Sequence, residues 1–203
     1  ALLSRLLADR DDGVRREALA VAGRAQWPDI GPDVWPDVVA ALGRRATQMA
    51  AVAALRTGGE AARTAVVSAL GQDNQPVELL VGLARAAGRM GGEAATTALA
   101  AHLDHPSDTV RTEALLALTG AGYRASGEAT AAVRRQIAAE TAHAAWLLAG
   151  LRDCLAAGEL GYLRRVLQGQ FEAARDRIYL LLALLVEPAA MRDVREVLGR
   201  GQQ

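Results

Sequence analysis

The fold of this chain is decided by two similar stretches: Asp9-Arg10-Asp11-Asp12-Gly13-Val14-Arg15-Arg16-Glu17-Ala18 and His105-Pro106-Ser107-Asp108-Thr109-Val110-Arg111-Thr112-Glu113-Ala114. Each is a polar turn, followed by Val-Arg and then by small or apolar residues at helical spacing. Counted from the valine, those residues fall at offsets 0, 4, 7, 8 and 11, which lie on one face of an α-helix. The polar residues before the valines are typical helix N-caps, namely Asp11 or Asp12 and Ser107 or Asp108.

Two further copies of the same offset pattern lie between these stretches and begin at Thr47 and Leu79. The four copies start at positions 14, 47, 79 and 110, so they are 33, 32 and 31 residues apart. A period of this size is typical of stacked helical repeats. A second apolar helix precedes each copy, and it is marked in turn by Leu2, Leu3, Leu6 and Leu7; by Val38, Val39 and Leu42; by Val66, Val67 and Leu70; and by Leu99 and Leu103.

The pattern predicts an all-α protein, a right-handed α-solenoid of helical hairpins that stack because no hairpin can bury its apolar face alone. Residues 1–122 are expected to form four repeats. Residues 123–203 are expected to form degenerate repeats or a C-terminal cap, with helices over 128–139, 140–157, 159–169, 171–186 and 188–199. Within this cap we expect Ile178–Val186 to be a core helix, because nine apolar residues are too few to span a bilayer. Arg177 and Arg192 are expected at the rim of the cap.

The composition narrows the possible functions. The chain has 203 residues, is 51% hydrophobic and only 3% aromatic, and carries 23 basic and 23 acidic residues. This charge balance argues against nucleic acid as the main partner. Every basic residue is arginine, which excludes a Schiff-base lysine and the lysine of a phosphate-binding loop. The single cysteine, Cys154, excludes an internal disulfide and fits a reducing compartment, so we expect a cytoplasmic location.

No residue pattern predicts an enzyme. His102 and His105 have a spacing that two metal ligands can use, but no third ligand stands near them. Cys154 and His143 are eleven residues apart, too far to touch within one straight helix, so a buried thiol is expected. The paired glycines follow helices and not strands, which argues against a phosphate-binding loop. We therefore expect no catalytic residue, no cofactor and no metal.

The face opposite the buried side of the four repeat helices is the candidate binding surface. In a stack of this kind it is expected to be concave and open to solvent, and it combines apolar side chains with arginines, as protein interfaces do. Alternatively, the C-terminal helices fold over it. The candidate partner-binding residues are Arg16, Met49, Arg56, Val81, Arg85 and Leu116. Arg15 and Arg111 lie elsewhere in the pattern and are expected to pair with turn carboxylates such as Asp11 and Asp108.

The turn, the Val-Arg pair and the alanine-rich helix resemble HEAT repeats, and Asp9–Gly23 and His105–Leu118 carry the resemblance. The second and third copies depart from it, with Thr47-Gln48 and Leu79-Leu80 in place of Val-Arg. The order of three further stretches is similar to the HEAT region of bacterial proteins that join it to an ATP/ADP translocase-like membrane domain: Pro76 with Gly88–Ala94, Leu103–Pro106 with Val110-Arg111, and Arg177–Arg192.

This second resemblance implies a non-enzymatic interaction or regulatory module, the soluble arm of a transporter-like protein. Its partner would be a protein or other domains of a longer chain, and the fragment itself would not insert into a membrane. Because Ala1 already lies inside a helical pattern, we expect the sequence to be a piece of such a chain. Two alternatives stay open: a stand-alone HEAT adaptor that docks on an enzyme, and a nucleic-acid-binding or repair HEAT protein.

Overall fold

The computed structural model describes residues 2–24, 31–157 and 161–186, which contain helices and no strand. The all-α prediction is therefore confirmed for this part of the chain. The chain divides into two compact units, Ala1–Ala121 and Gly122–Gln203. Its helices are α1 Leu2–Leu7, α2 Asp12–Arg24, α3 Trp35–Ala40, α4 Gln48–Thr57, α5 Gly59–Leu70, α6 Val77–Met90, α7 Glu93–Ala100, α8 Asp108–Gly120, α9 Glu128–Ala157 and α10 Gly161–Ala183.

The first unit is built of two rows of helices. The even-numbered helices α2, α4, α6 and α8 pack side by side in that order, and they are the four helices that the offset pattern predicts. The odd-numbered helices α1, α3, α5 and α7 form the second row, and each packs on the even helix that follows it in the chain. The unit therefore consists of four successive helical hairpins, each packed on the next.

Neighbouring even helices run in the same direction and approach closely. The Oγ1 hydroxyl of Thr57, at the end of α4, donates a hydrogen bond of 2.8 Å to the carbonyl of Gly23, near the end of α2. A Cβ atom placed on Gly88 of α6 would lie 2.7 Å from the Cβ of Ala117 in α8. A larger residue at Gly88 would force these two helices apart.

The buried face follows the offset pattern. The residues at offsets 4 and 8 are buried in all four even helices: Ala18, Ala51, Leu83 and Ala114, then Ala22, Leu55, Ala87 and Leu118. The prediction that Leu83, Ala114 and Leu118 are buried is therefore confirmed. For Val14 the same prediction is wrong, because its side chain is 37% exposed. Val14 lies in the first turn of α2, at an end of the row, where its backbone N–H bonds the exposed carboxylate of Asp11.

The expected arginine–carboxylate pairs close the turns before α2 and α8. Arg111 Nη1 donates to the carbonyl of His105 at 2.9 Å, six residues back, while Nη2 bonds Asp108 at 2.6 Å. Arg15 makes the equivalent contacts with the carbonyl of Asp9 and with the carboxylate of Asp12. The predicted partner of Arg15, Asp11, instead caps α2, accepting from the backbone N–H of Gly13 and of Val14.

Gln48, the first residue of α4, occupies the position that arginine has in the first and fourth copies. It preserves the contact with the backbone carbonyl six residues back. Its Nε2 donates to the carbonyl of Leu42, again six residues back, at 3.0 Å. The third copy has no such donor, because the buried Leu80 occupies the position of the arginine. The departure from Val-Arg in the second copy therefore keeps the backbone contact and omits only the ion pair.

Replacing Arg111 tests this turn. Arg111→Ala removes donors from the partly buried carbonyl of His105 and from the carboxylate of Asp108, so we expect it to lower the free energy of unfolding by about 2 kcal/mol. Arg111→Gln should cost less than half as much, because Gln48 shows that a glutamine amide reaches the equivalent carbonyl of its own repeat, that of Leu42. Urea denaturation of both variants measures the difference. Equal losses would show that the contact six residues back contributes nothing.

The second unit contains two long helices where four shorter ones are predicted. The helix α9 continues through the predicted break at residues 139 and 140, and α10 continues through Gly169. A helix-interior glycine costs only about 1 kcal/mol relative to alanine, which packing along two long helices offsets. The two helices pack along their length around Ala144, Leu147 and Ala174, and against this core lie Leu167, Phe171 and Ile178.

Arg177 differs most from its predicted place in this unit. It is predicted at the exposed rim of the C-terminal cap, but that prediction is wrong, because the residue is only 2% exposed. Its Nε and Nη2 atoms donate to the two carboxylate oxygens of Glu140, each at 2.9 Å, and Glu140 is itself buried. A bidentate pair of this kind joins α10 to α9 through a fixed geometry.

The apolar run Ile178–Val186 is helical as far as Ala183 and ends in a turn. Leu181 and Leu184 are buried, and the rest of the run is half-buried. Among the described residues, no helix is both long enough and apolar enough to cross a membrane. The predicted helix 188–199 and Arg192 lie outside the described residues.

Candidate functional site

The candidate partner-binding residues lie on α2, α4, α6 and α8, and we call the solvent-facing side of this row the even-helix face. Arg16 and Arg56 are exposed, and so are the apolar side chains of Met49 and Leu116. The predicted exposure is wrong for one member of the set, since Val81 is only 8% exposed. Its helix packs against α4, α8 and the 3₁₀ turn Ala41–Gly43, which leaves less of α6 open to solvent.

A groove of about 330 Å³ lies between α6 and α8. It brings together two of the predicted residues, Arg85 and Leu116, while the other four do not line it. Its floor is formed where Gly88 meets Ala117, because the missing side chain lets the two helices approach. The lining residues are Arg85, Gly88, Arg89, Glu113, Leu116, Ala117 and Gly120.

A chain of polar contacts crosses the row at this groove. Arg85 Nη1 donates to the side-chain carbonyl of Gln48 on α4 at 2.9 Å, and its Nη2 bonds the Glu113 carboxylate on α8. The hydrogen bond that Arg85 donates to Glu113 and the negative charge of that carboxylate raise the pKa of Arg85 above its ordinary value, although partial burial opposes the shift. Arg85 therefore stays charged and is held by its neighbours, so it positions α4, α6 and α8 relative to one another.

The sequence reasoning missed Glu113, Arg89 and Arg24. The role of Glu113 cannot be predicted from local spacing, because its partner Arg85 lies 28 residues away in the sequence. The other two could have been found, because Arg24, Arg56 and Arg89 each fall in the last turn of an even helix, at offset 9 or 10 of their repeats. All three are exposed.

The histidines and the cysteine show no arrangement for chemistry in the part of the chain that the structure describes. His102 Nε2 lies 3.0 Å from the carbonyl of Leu70, and His105 Nδ1 accepts from the backbone N–H of Ser107 at 3.1 Å. No group of three or more His, Cys, Asp or Glu in the described residues is placed to hold a metal ion. Cys154 is a buried free thiol, as expected, and His143 stacks on Trp146.

Comparisons of the chain with protein-family models, with curated proteins and with solved structures find no match. Over the residues that the structure describes, the chain is all-helical, and its first unit consists of four successive helical hairpins with an exposed even-helix face.

Proposed function

We propose that the chain is a non-enzymatic protein-interaction module, built as a right-handed α-solenoid of HEAT type, whose even-helix face binds a protein or other domains of a longer chain. In the setting that the sequence resemblance implies, the module is the soluble, cytoplasmic arm of a membrane transporter-like protein. The stand-alone adaptor uses the same face and differs only in the identity of the partner.

The solenoid part of the proposal is supported by two repeated features. The even helices and the odd helices form separate rows, with each hairpin packed on the next. The same side-chain contact to a carbonyl six residues back closes the turns before α2, α4 and α8. Stacked repeats that bury one face leave the opposite face available to partners.

The observation that carries the binding proposal is the exposure of large apolar side chains on the face. Met49 on α4 is 60% exposed and Leu116 on α8 is 50% exposed, and Arg85 and Arg89 line the groove with Leu116. Interfaces between proteins combine such apolar residues with arginine. A nucleic-acid interface is less well supported, because Arg85 is already paired with Glu113 and the even helices carry no aromatic residue for base stacking.

A pair of surface variants tests the proposal. We expect a protein retained by the immobilised chain from a lysate of its source to be lost with the Met49→Glu/Leu116→Glu double variant, because the glutamates charge the apolar contacts. The control is Leu155→Glu on α9, a leucine of the other unit that is 65% exposed, and this variant should retain the protein. The partner, once purified, should bind the double variant at least tenfold more weakly. Equal retention by all three chains would contradict the proposal.

A further inference from the structure

Three arginines stand at one edge of the even-helix face, and the proposed function leaves their role open. Arg24, Arg56 and Arg89 lie in the last turns of α2, α4 and α6. The hydrogen bond from Thr57 to Gly23 places the ends of α2 and α4 side by side, and the hydrogen bond from Arg85 to Gln48 joins α6 to α4. We call these three residues the arginine row.

The guanidinium groups of the arginine row are available to a partner. Each residue is exposed, and within the described part of the chain none of the three makes a hydrogen bond or an ion pair through its side chain. A cation at the C-terminal end of a helix is stabilised by the helix macrodipole. This interaction leaves the five N–H donors of the guanidinium available for hydrogen bonds. Near this edge, Glu60 is paired with Arg63, and Glu93 at the start of α7 is exposed. The edge therefore has excess positive charge in a chain of zero net charge.

The distance between successive arginines of the row can be compared with the side-chain repeat of an extended peptide that would bind them. Axes of packed helices lie about 8–10 Å apart, so the backbones of successive arginines in the row are separated by about that distance, within which the long side chains can adjust. A polyproline II segment has three residues per turn and places every third side chain on one face at intervals of about 9 Å. A β-strand does not match, because residues three apart point to opposite faces.

The row ends at the groove. The last turn of α8 has no basic residue, and the exposed Leu116 lies one turn before the end of that helix. A segment that crosses α2, α4 and α6 in order therefore reaches an apolar contact at its fourth step. Arg89 lines both the row and the groove, which makes the two surfaces continuous.

We propose that the arginine row binds an extended acidic segment of the partner protein, with a carboxylate at every third residue and an apolar side chain three residues after the last. This inference rests on the proposed function and adds the chemistry of the partner. Each carboxylate accepts from one guanidinium, and the apolar side chain enters the groove beside Leu116 and Ala117. Bidentate arginine–carboxylate contacts fix the register of such a segment.

Fluorescence anisotropy with synthetic peptides tests the inference. The probe is a fluorescein-labelled 13-residue peptide with aspartates at positions 3, 6 and 9, leucine at 12, and serine or asparagine elsewhere. A second peptide has the same composition with its aspartates at 5, 6 and 7. We expect the spaced peptide to bind the full chain at least tenfold more tightly than the clustered one, because only the spaced carboxylates reach all three arginines.

Two arginine variants, one in the last turn of α4 and one just before the start of that helix, locate the binding site. Arg56→Glu, with Arg56→Gln as a milder change, should weaken the spaced peptide at least tenfold. Arg45→Glu should change its affinity less than twofold, because Arg45 is an exposed arginine just before the opposite end of the same helix. Circular dichroism of the variants checks that they fold, which both exposed positions should allow.

Each contrary outcome identifies what fails. Equal affinity for the spaced and clustered peptides, or no binding of either, would overturn the inference. A fluorescein-labelled strand of twelve thymidine nucleotides is the second probe. If this strand binds more tightly than the spaced peptide and its binding depends on Arg56 in the same way, the row is a nucleic-acid site and the inference is overturned. If the peptides fail while a captured protein still depends on Met49 and Leu116, the proposed function stands and only the acidic segment is wrong.

Discussion

Arg177→Met is expected to lower the free energy of unfolding of the second unit by about 3–5 kcal/mol. The methionine removes two charge-assisted hydrogen bonds that the guanidinium donates to the buried carboxylate of Glu140. Breaking a buried ion pair from one side is costly, because the desolvation penalty of the remaining charge stays while the attraction of the pair is lost. Chemical denaturation followed by circular dichroism measures the loss, and the slope of the transition shows whether α9 and α10 unfold as one unit.

The double variant Glu140→Leu/Arg177→Met distinguishes the contribution of the ion pair to stability from that of side-chain packing. Replacing both charges by apolar groups of similar volume is often neutral or stabilising, so we expect its stability to lie within about 2 kcal/mol of the wild type and well above that of Arg177→Met. If the double variant is as unstable as the single one, the loss comes from packing and not from the broken ion pair.

Ala114→Asp is expected to cost about 3 kcal/mol or more. Ala114 is fully buried on the face of α8 that packs against its neighbours, and an aspartate there must either leave its charge unpaired or force the helices apart. The matched control is Leu116→Asp on the same helix, which should change stability by less than about 0.5 kcal/mol because that side chain is half exposed. A melting temperature of Ala114→Asp within a degree of the wild type would contradict the assignment of this buried face.

The local periodicity of the sequence predicts the even helices well. A residue at offset 4 or 8 is buried in every copy, because those offsets point toward the middle of the packed row wherever the helix stands. Val14 has the same offset as Val110 but is 37% exposed, whereas Val110 is 1% exposed, so the offset alone does not decide whether this position is buried.

The polar contacts between helices could not be predicted from spacing. Arg177 and Glu140 lie 37 residues apart, and Arg85 and Glu113 lie 28 apart, so each pair depends on the register of two packed helices. Arginine is mostly exposed in proteins, which makes a rim the default expectation for Arg177. The glycine of the groove offers a partial signal, since Gly88 within a helical pattern indicates a close backbone approach.

The central claim is that α2, α4 and α6 run parallel with their C-terminal ends side by side. Spin labels on Arg24→Cys and Arg89→Cys, with the buried Cys154 replaced by alanine, measure this directly by pulsed electron paramagnetic resonance. Two interhelix steps of about 8–10 Å predict a distance between the labelled backbones of about 16–20 Å. If α6 ran in the opposite direction, its 14 residues would add about 21 Å along the axis. A distance near 30 Å would then be observed, and it would contradict both the parallel row and the arginine row built on it.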